Sequence, residues 1–466
     1  MYNIILINPP VYDFTYYNLW EKPLGLLNIA AAFEKDERCR LSLIDCVPER
    51  LQKKREYDRG AGKLTGVRTE KPECFKTVRR NYHRYGIGAE ELEARLAEAA
   101  GNIPAGEPAA VLISAMMTYW YQGAFEAARE ARKAMPQAKI AIGGIYARLM
   151  PGHAGRSELF DHVETGYGAF KVYGKILEIL NIPVPAGLKC ENARGDFGII
   201  PAYHLLPELN NSVSLLASSG CPYRCTYCAS NILYSEYSIK PAGEIIEELL
   251  YYKNSLKVNN AAFYDDALLY RKEENFYAWA RGWIKAREAS GNGGEFSFHL
   301  PNAVHAAMID EECASLMKEA GFKTVRLGYE FYESAKQKES GGKVSGGALK
   351  KAVANLINAG FTPNEIGVYI LFGHPGCGGA EARDAADFVF ECGATPHLSL
   401  FSPIPGTPDG EAIFRLRPEI LSEPLLQNKS VYFELFSEAG YGEYYELKAY
   451  IQKKSGGAVN NILINP

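Results

Sequence analysis

Three cysteines carry the most chemistry in this chain. Cys221, Cys225 and Cys228 lie in the run Cys221-Pro222-Tyr223-Arg224-Cys225-Thr226-Tyr227-Cys228, a CxxxCxxC spacing. Ser218-Ser219-Gly220 leads in, and the apolar run Ser212 to Ala217 comes before that. The pattern predicts a buried strand ending in a loop that presents thiolates. Thiolates are the soft ligands that hold iron–sulfur clusters. A cubane has more irons than this loop has cysteines, so one iron is left open to a substrate or cofactor, as an open metal site allows. A zinc site or a redox thiol pair is the alternative. Zinc prefers a full tetrahedral ligand set, and no partner motif of CxxC or CxH type stands elsewhere in the sequence.

The spacing resembles the signature of the radical S-adenosylmethionine (radical SAM) superfamily, and Tyr227 is the aromatic residue that signature places before its last cysteine. The resemblance implies a 4Fe–4S cluster held by Cys221, Cys225 and Cys228, with SAM chelated at the open iron. It also implies an electron donor such as flavodoxin or ferredoxin. The electron would break a carbon–sulfur bond of SAM and release a 5′-deoxyadenosyl radical.

The segments after the loop alternate between strand and helix. Strands are predicted at Ser212–Ala217, Asn260–Asp265, Phe296–Leu300, Thr324–Glu330, Ile366–Gly373 and His397–Phe401. Helices fall between them, one opening at Asp310 and closing at Gly321. Six such units predict a partial β/α barrel, whose functional groups gather at the carboxyl ends of its strands. The resemblance implies roles there: Asp265 and Asp266 at the amino end of SAM, and Arg326 and Glu330 at a strand-four site, with Glu330 on the ribose hydroxyls. Gly373, Pro403 and Ile404 belong to turns near adenine. Internal salt bridging is the competing reading for Asp265 and Glu330. His299 and His374 read as satisfied core histidines, and Cys377 as a thiol near the barrel mouth.

The N-terminal third predicts a doubly wound, Rossmann-like α/β sheet, with strands near 3–8, 41–46, 109–114, 138–142 and 162–166. It resembles the cobalamin-binding domain that precedes many radical SAM cores. The matching pieces are Asn8-Pro9-Pro10, Pro23-Leu24-Gly25-Leu26, Ser114 to Trp120, Gly143-Gly144 and Gly166. The resemblance implies that Ser114, Gly143 and Gly144 line the slot for the nucleotide tail of cobalamin. A tight strand-to-helix turn is the alternative for the glycine pair. The DxHxxG motif that supplies a lower histidine ligand in other cobalamin proteins is absent.

The expected organisation is a cobalamin-binding-like domain over 1–180 with an insertion at 47–108, a linker at 181–206, the barrel over 207–408, and an aromatic-rich segment from 409 to 466 that covers the barrel's open side. The insertion begins with a basic run that includes Lys53, Lys54 and Arg55. Its Tyr82, His83, Arg84 and Tyr85 read either as a solvated face or as a lid reaching a ligand. Gly60-Ala61-Gly62-Lys63 lacks the leading glycine and the Ser/Thr of a phosphate loop.

The net charge of −4 gives no bulk attraction to nucleic acid. The seven cysteines outside the loop are scattered, Cys190 among them, which points to a reduced, cytoplasmic setting. No apolar run reaches the roughly 20 residues a membrane span needs. The expected function is cobalamin-dependent methyl transfer to an unactivated carbon of a small molecule or peptide. Rearrangement, ring contraction or sulfur insertion by the same radical is the second reading, and a non-catalytic iron–sulfur carrier the third.

Overall fold

The computed structural model describes residues 1–52, 61–185, 197–209, 211–289 and 295–455. Lys53, Lys54, Arg55 and Cys190 lie outside the described residues. Two parallel sheets organise the chain. The first has five strands, Tyr2–Asn8, Cys39–Asp45, Ala109–Ser114, Lys139–Gly143 and His162–Val163, in spatial order 5-4-3-1-2. Its central strands read as unbroken apolar runs because helices bury both faces. Leu24–Phe33 and Ala169–Ile179 cover one face, where Phe33 and Tyr173 pack at 5.0 Å. The alanine-lined helix Tyr121–Ala134 covers the other. The register sets Ser114 beside Gly143 at the carboxyl edge.

The second sheet has six parallel strands in sequential order: Ser212–Leu215, Asn260–Phe263, Ser297–His299, Phe322–Gly328, Ile366–Phe372 and Thr395–Leu400. Alternation sends Phe263, Phe298, Val325 and Val368 outward to the helices and leaves Asn260, His299, Arg326 and Tyr369 on the bore side. The helix Glu311–Ala320 is bounded as its sequence requires. The Asp310 side chain accepts from Cys313 N, and Gly321 takes the left-handed closing position with φ 112°.

The described part of the insertion packs against the N-terminal domain on one side and is exposed on the other. Strands Val11–Asp13, Gly66–Arg68 and His83–Tyr85 form a small antiparallel sheet. Arg84 is held by Glu126 at 2.8 Å, and the Tyr82 hydroxyl donates to Gln122 at 2.8 Å. These side chains are committed to internal structure and are not offered to a ligand.

The insertion folds beside the segment before the first helix, and that segment enters the barrel. Trp20 is buried and stacks on His299 with ring centroids 4.0 Å apart. Ser214 Oγ donates to the Trp20 carbonyl at 2.7 Å, and the Tyr264 hydroxyl donates to the Leu19 carbonyl at 2.8 Å. After residue 409 the chain runs along the fifth and sixth strands. Phe433 and Tyr444 pack on Phe372. Asn428 donates to Asp13 at 3.0 Å and Tyr121 to Glu423 at 3.1 Å, which ties this segment to the N-terminal sheet.

Candidate active site

The cysteine loop leaves the end of the first barrel strand and is pinned at several points. Ser218–Ser219 pairs antiparallel with Ser238–Ile239 and closes its base. Gly220 has φ 76°, and a Cβ there would stand 2.5 Å from the Glu236 carbonyl, so the turn requires glycine. Asp265 is buried, and its carboxylate accepts from Ala217 N at 3.1 Å, Ser218 N at 2.5 Å and Ser218 Oγ at 2.6 Å. The Asp265 oxygens thus engage the loop's own backbone and the Ser218 hydroxyl. Asp266 is the neighbour that turns toward the thiols. It is half-buried, faces Ser230 and Cys221, and has its pKa raised by burial.

The middle of the loop is held from two other strand ends. Thr226 N donates to the Ser340 carbonyl at 3.1 Å, and Gly341 lies so close that a Cβ would meet the Cys225 Cα at 3.1 Å. Thr226 Oγ1 donates to Asp409 at 2.8 Å, while Asp409 N donates back to the Thr226 carbonyl at 3.1 Å. His374 Nε2 meets the same Asp409 oxygen at 3.0 Å. Asp409 was not singled out by its sequence context. Its contact joins segments 183 residues apart. We expect Asp409→Ala to leave the thiols in place and to lower cluster retention about tenfold, the range for losing an outer-shell partner. Iron and sulfide content after anaerobic desalting measures it.

The thiols are half-buried. Burial pushes the Cys221 thiol up to about 11 and raises that of Cys225, against a lowering pull from Lys343. Cys228 Sγ lies 3.3 Å from Ser230 Oγ. Lys343 is the second residue that sequence reasoning passed over. Its charge bears on Cys225, Cys221, Cys228 and Glu330, whose negative charge holds its own pKa up against burial. Glu330 also lies beside the Tyr227 hydroxyl, whose pKa is raised chiefly by burial. Cluster loop, Lys343 and Glu330 thus form one electrostatic group.

Among the described residues no His, Cys, Asp or Glu trio converges as it would on one ion. Thiols set apart on a half-buried loop beside a cation suit a cubane, which offers a separate iron to each thiolate. The other expected positions fall in less open surroundings. Gly373 has φ 79°, and a Cβ there would meet Phe433 at 2.9 Å. Its carbonyl accepts from Ser437 at 3.3 Å. Pro403 is buried, and the Ile404 carbonyl accepts from Thr407 Oγ1 at 2.7 Å. Arg326 lies on the bore side of the fourth strand, and Glu330 follows two residues after its end, with its carboxylate turned back over Gly328. His299 is satisfied by Asn260 at 3.0 Å and Thr324 at 3.2 Å.

The N-terminal sheet turns its carboxyl edge to this loop. Gly144 opens the helix Gly144–Leu149, and Arg148 on that helix donates to the Leu233 carbonyl, just beyond the last cysteine. Arg148 also lies over Tyr167 and Tyr234, at 5.6 and 5.8 Å. A Cβ on Gly143 would meet only Glu164, at 3.7 Å, so a ligand can pass over this backbone. Gly144 is different. It has φ 87°, and a Cβ would stand 2.6 Å from the Ala115 carbonyl and 2.8 Å from Ser114 Oγ. Packing alone accounts for that glycine. Ser114 and Gly143 remain fitted to a ligand lying along the edge.

Between the domains Glu21 approaches the Tyr16 hydroxyl at 3.5 Å, and burial pushes its pKa up to about 7. A raised carboxyl pKa contributes stability below the unfolded value, and that contribution is lost as pH rises to about 7. Wild type is expected to lose about 3 kcal/mol at most relative to Glu21→Gln between pH 4 and 7. Paired urea titrations across that range measure it.

Residues 215–389 match the model of the radical SAM superfamily. No curated protein matches the chain. Two solved structures of the radical S-adenosylmethionine methyltransferase TsrM from Kitasatospora setae align with a TM-score of 0.63. Their identities are 15% and 16%, over 89% of this chain and 76% and 78% of theirs. One was solved with cobalamin and a 4Fe–4S cluster. The cobalamin-dependent S-adenosylmethionine radical enzyme OxsB aligns with a TM-score of 0.57 at 12% identity, over 98% of this chain and 62% of its own.

Proposed function

Since the segment 215–389 is a radical SAM domain, we propose that this enzyme cleaves SAM reductively at a cluster on Cys221, Cys225 and Cys228 and directs the radical, with cobalamin, to methyl transfer onto an unactivated carbon. One observation carries the cobalamin half. The carboxyl edge of the N-terminal sheet faces the cysteine loop through the Arg148–Leu233 contact, so a group held at Ser114 and Gly143 would lie opposite the cluster. When bound, a cluster on the three thiolates would pass an electron from a reductant to SAM, and a corrin at Ser114 and Gly143 would supply a methyl group.

The protein's own part is to bind, orient and enclose. Asp265 fixes the start of the loop, and Thr226 with Asp409 fixes its middle. Asp266 would accept from the ammonium of SAM and Glu330 from its ribose hydroxyls. Lys343 offsets negative charge gathered at the thiolates. Lys343→Met is expected to make the cluster's midpoint potential more negative and to slow SAM cleavage about tenfold, an outer-shell effect. An anaerobic redox titration followed by electron paramagnetic resonance gives the potential.

The function is tested by anaerobic reconstitution. Iron, sulfide and corrin absorbance are measured first, then formation of 5′-deoxyadenosine. A label carried from the SAM methyl group into product supports methyl transfer. Deoxyadenosine without label transfer would move the assignment to rearrangement or sulfur insertion. No SAM cleavage in a fully loaded, reduced sample would overturn it.

A further inference from the structure

Arg326 is 6% exposed on the bore side of the fourth barrel strand. One guanidinium nitrogen donates to the Val325 carbonyl at 3.3 Å, and the Tyr369 hydroxyl lies beside the group. No carboxylate among the described residues lies within 4.0 Å of it. Two other buried cations are paired, Lys22 with Glu49 and Lys240 with Glu248. A buried, unmatched guanidinium is costly, and an anion seated against it removes that cost.

The surroundings are built to present this group. Strand register sets Arg326 beside Gly367, and Tyr369 beside His397 on the sixth strand. A Cβ on Gly367 would stand 2.7 Å from His397 Nε2 and 2.8 Å from Arg326 Cδ, so the glycine is what lets both side chains share the layer. His397 is 6% exposed, and its Nδ1 has no hydrogen-bond partner among the described residues. Burial and the neighbouring guanidinium keep its imidazole neutral, so it can still donate one hydrogen bond.

We propose that Arg326, His397 and Tyr369 form an anchor deep in the barrel bore for an anionic group of the substrate, a carboxylate or a phosphate. This rests on the reading above that the barrel mouth is the reacting centre. A planar fork suits either oxyanion. The anchor would hold an acidic group of the substrate while another of its carbons reaches the mouth. The substrate class is then a small molecule or peptide carrying an acidic group.

The test uses the cluster-loaded chain with sodium acetate and inorganic phosphate as separate probes, at matched ionic strength. Thermal melts are followed against each anion. One anion should raise the melting temperature saturably, and which one does so separates carboxylate from phosphate. Arg326→Gln should abolish the saturable shift, and His397→Asn should weaken half-saturation about three- to tenfold, the size of one hydrogen bond. The proposal falls if neither anion gives a saturable shift in wild type, or if Arg326→Gln keeps it. Should Arg326→Gln fail to fold, an unchanged half-saturation in His397→Asn overturns the anchor by itself. SAM cleavage is assayed in parallel, so its absence beside an intact anion response would count against the reaction and not the anchor.

Discussion

Cys225→Ala is expected to yield a folded chain that cannot keep its cluster. Cys225 sits mid-loop, between the Thr226 contacts and the close approach of Gly341. Those contacts run through backbone and through Thr226 Oγ1, so the loop retains its course without the thiol. What disappears is a primary ligand. Loss of an outer-shell partner costs about 10–100-fold in metal affinity, and loss of a ligand should exceed that. Iron and sulfide should fall to background and SAM cleavage by more than about a hundredfold. The melting temperature before reconstitution should change little. Retained SAM cleavage would remove the loop from the reaction.

Gly144→Val is expected to have the largest effect outside the barrel. The position combines a φ of 87° with a Cβ that would stand 2.6 Å from a backbone carbonyl. A β-branched residue at positive φ is a backbone outlier, and the carbonyl it meets cannot rotate away as a side chain could. We expect a loss of about 3 kcal/mol or more, from strain and overpacking together. Because Gly144 starts the helix bearing Arg148, corrin uptake should fail along with stability. Gly143→Ala separates the two effects. Its backbone is extended and the added methyl meets only Glu164, so stability should hold. Any drop in corrin absorbance there reports the ligand edge itself.

Much of this was legible in the sequence because its strands are long and its cysteines close. The six barrel strands announced themselves by apolar runs ending in polar residues, and the cluster loop by spacing alone. The adjacent carboxylates Asp265 and Asp266 could not be told apart, since which one turns into the loop depends on where Ser218 lies in space. Arg326 and Glu330 are in period-two phase, and that alternation does not show that the strand ends at Gly328, before Glu330. Lys343 and Asp409 reach the cysteines from turns that return after other strands. The insertion's strands have two or three residues each, too few for a period to show.

Trp20 also bears on the order in which this chain can fold. The ring that lies against the bore side of the barrel emerges from the ribosome long before the strands that receive it: Ser214 holds its carbonyl and His299 its face. At the moment of synthesis this large apolar side chain has no home, and its φ of 65° is a conformation that an unsupported backbone would not keep. The N-terminal sheet can form early, but its leading segment stays unseated until residues near 300 have been made. Nascent chains arrested before that point should therefore expose a tryptophan that quenchers reach, and longer ones should hide it.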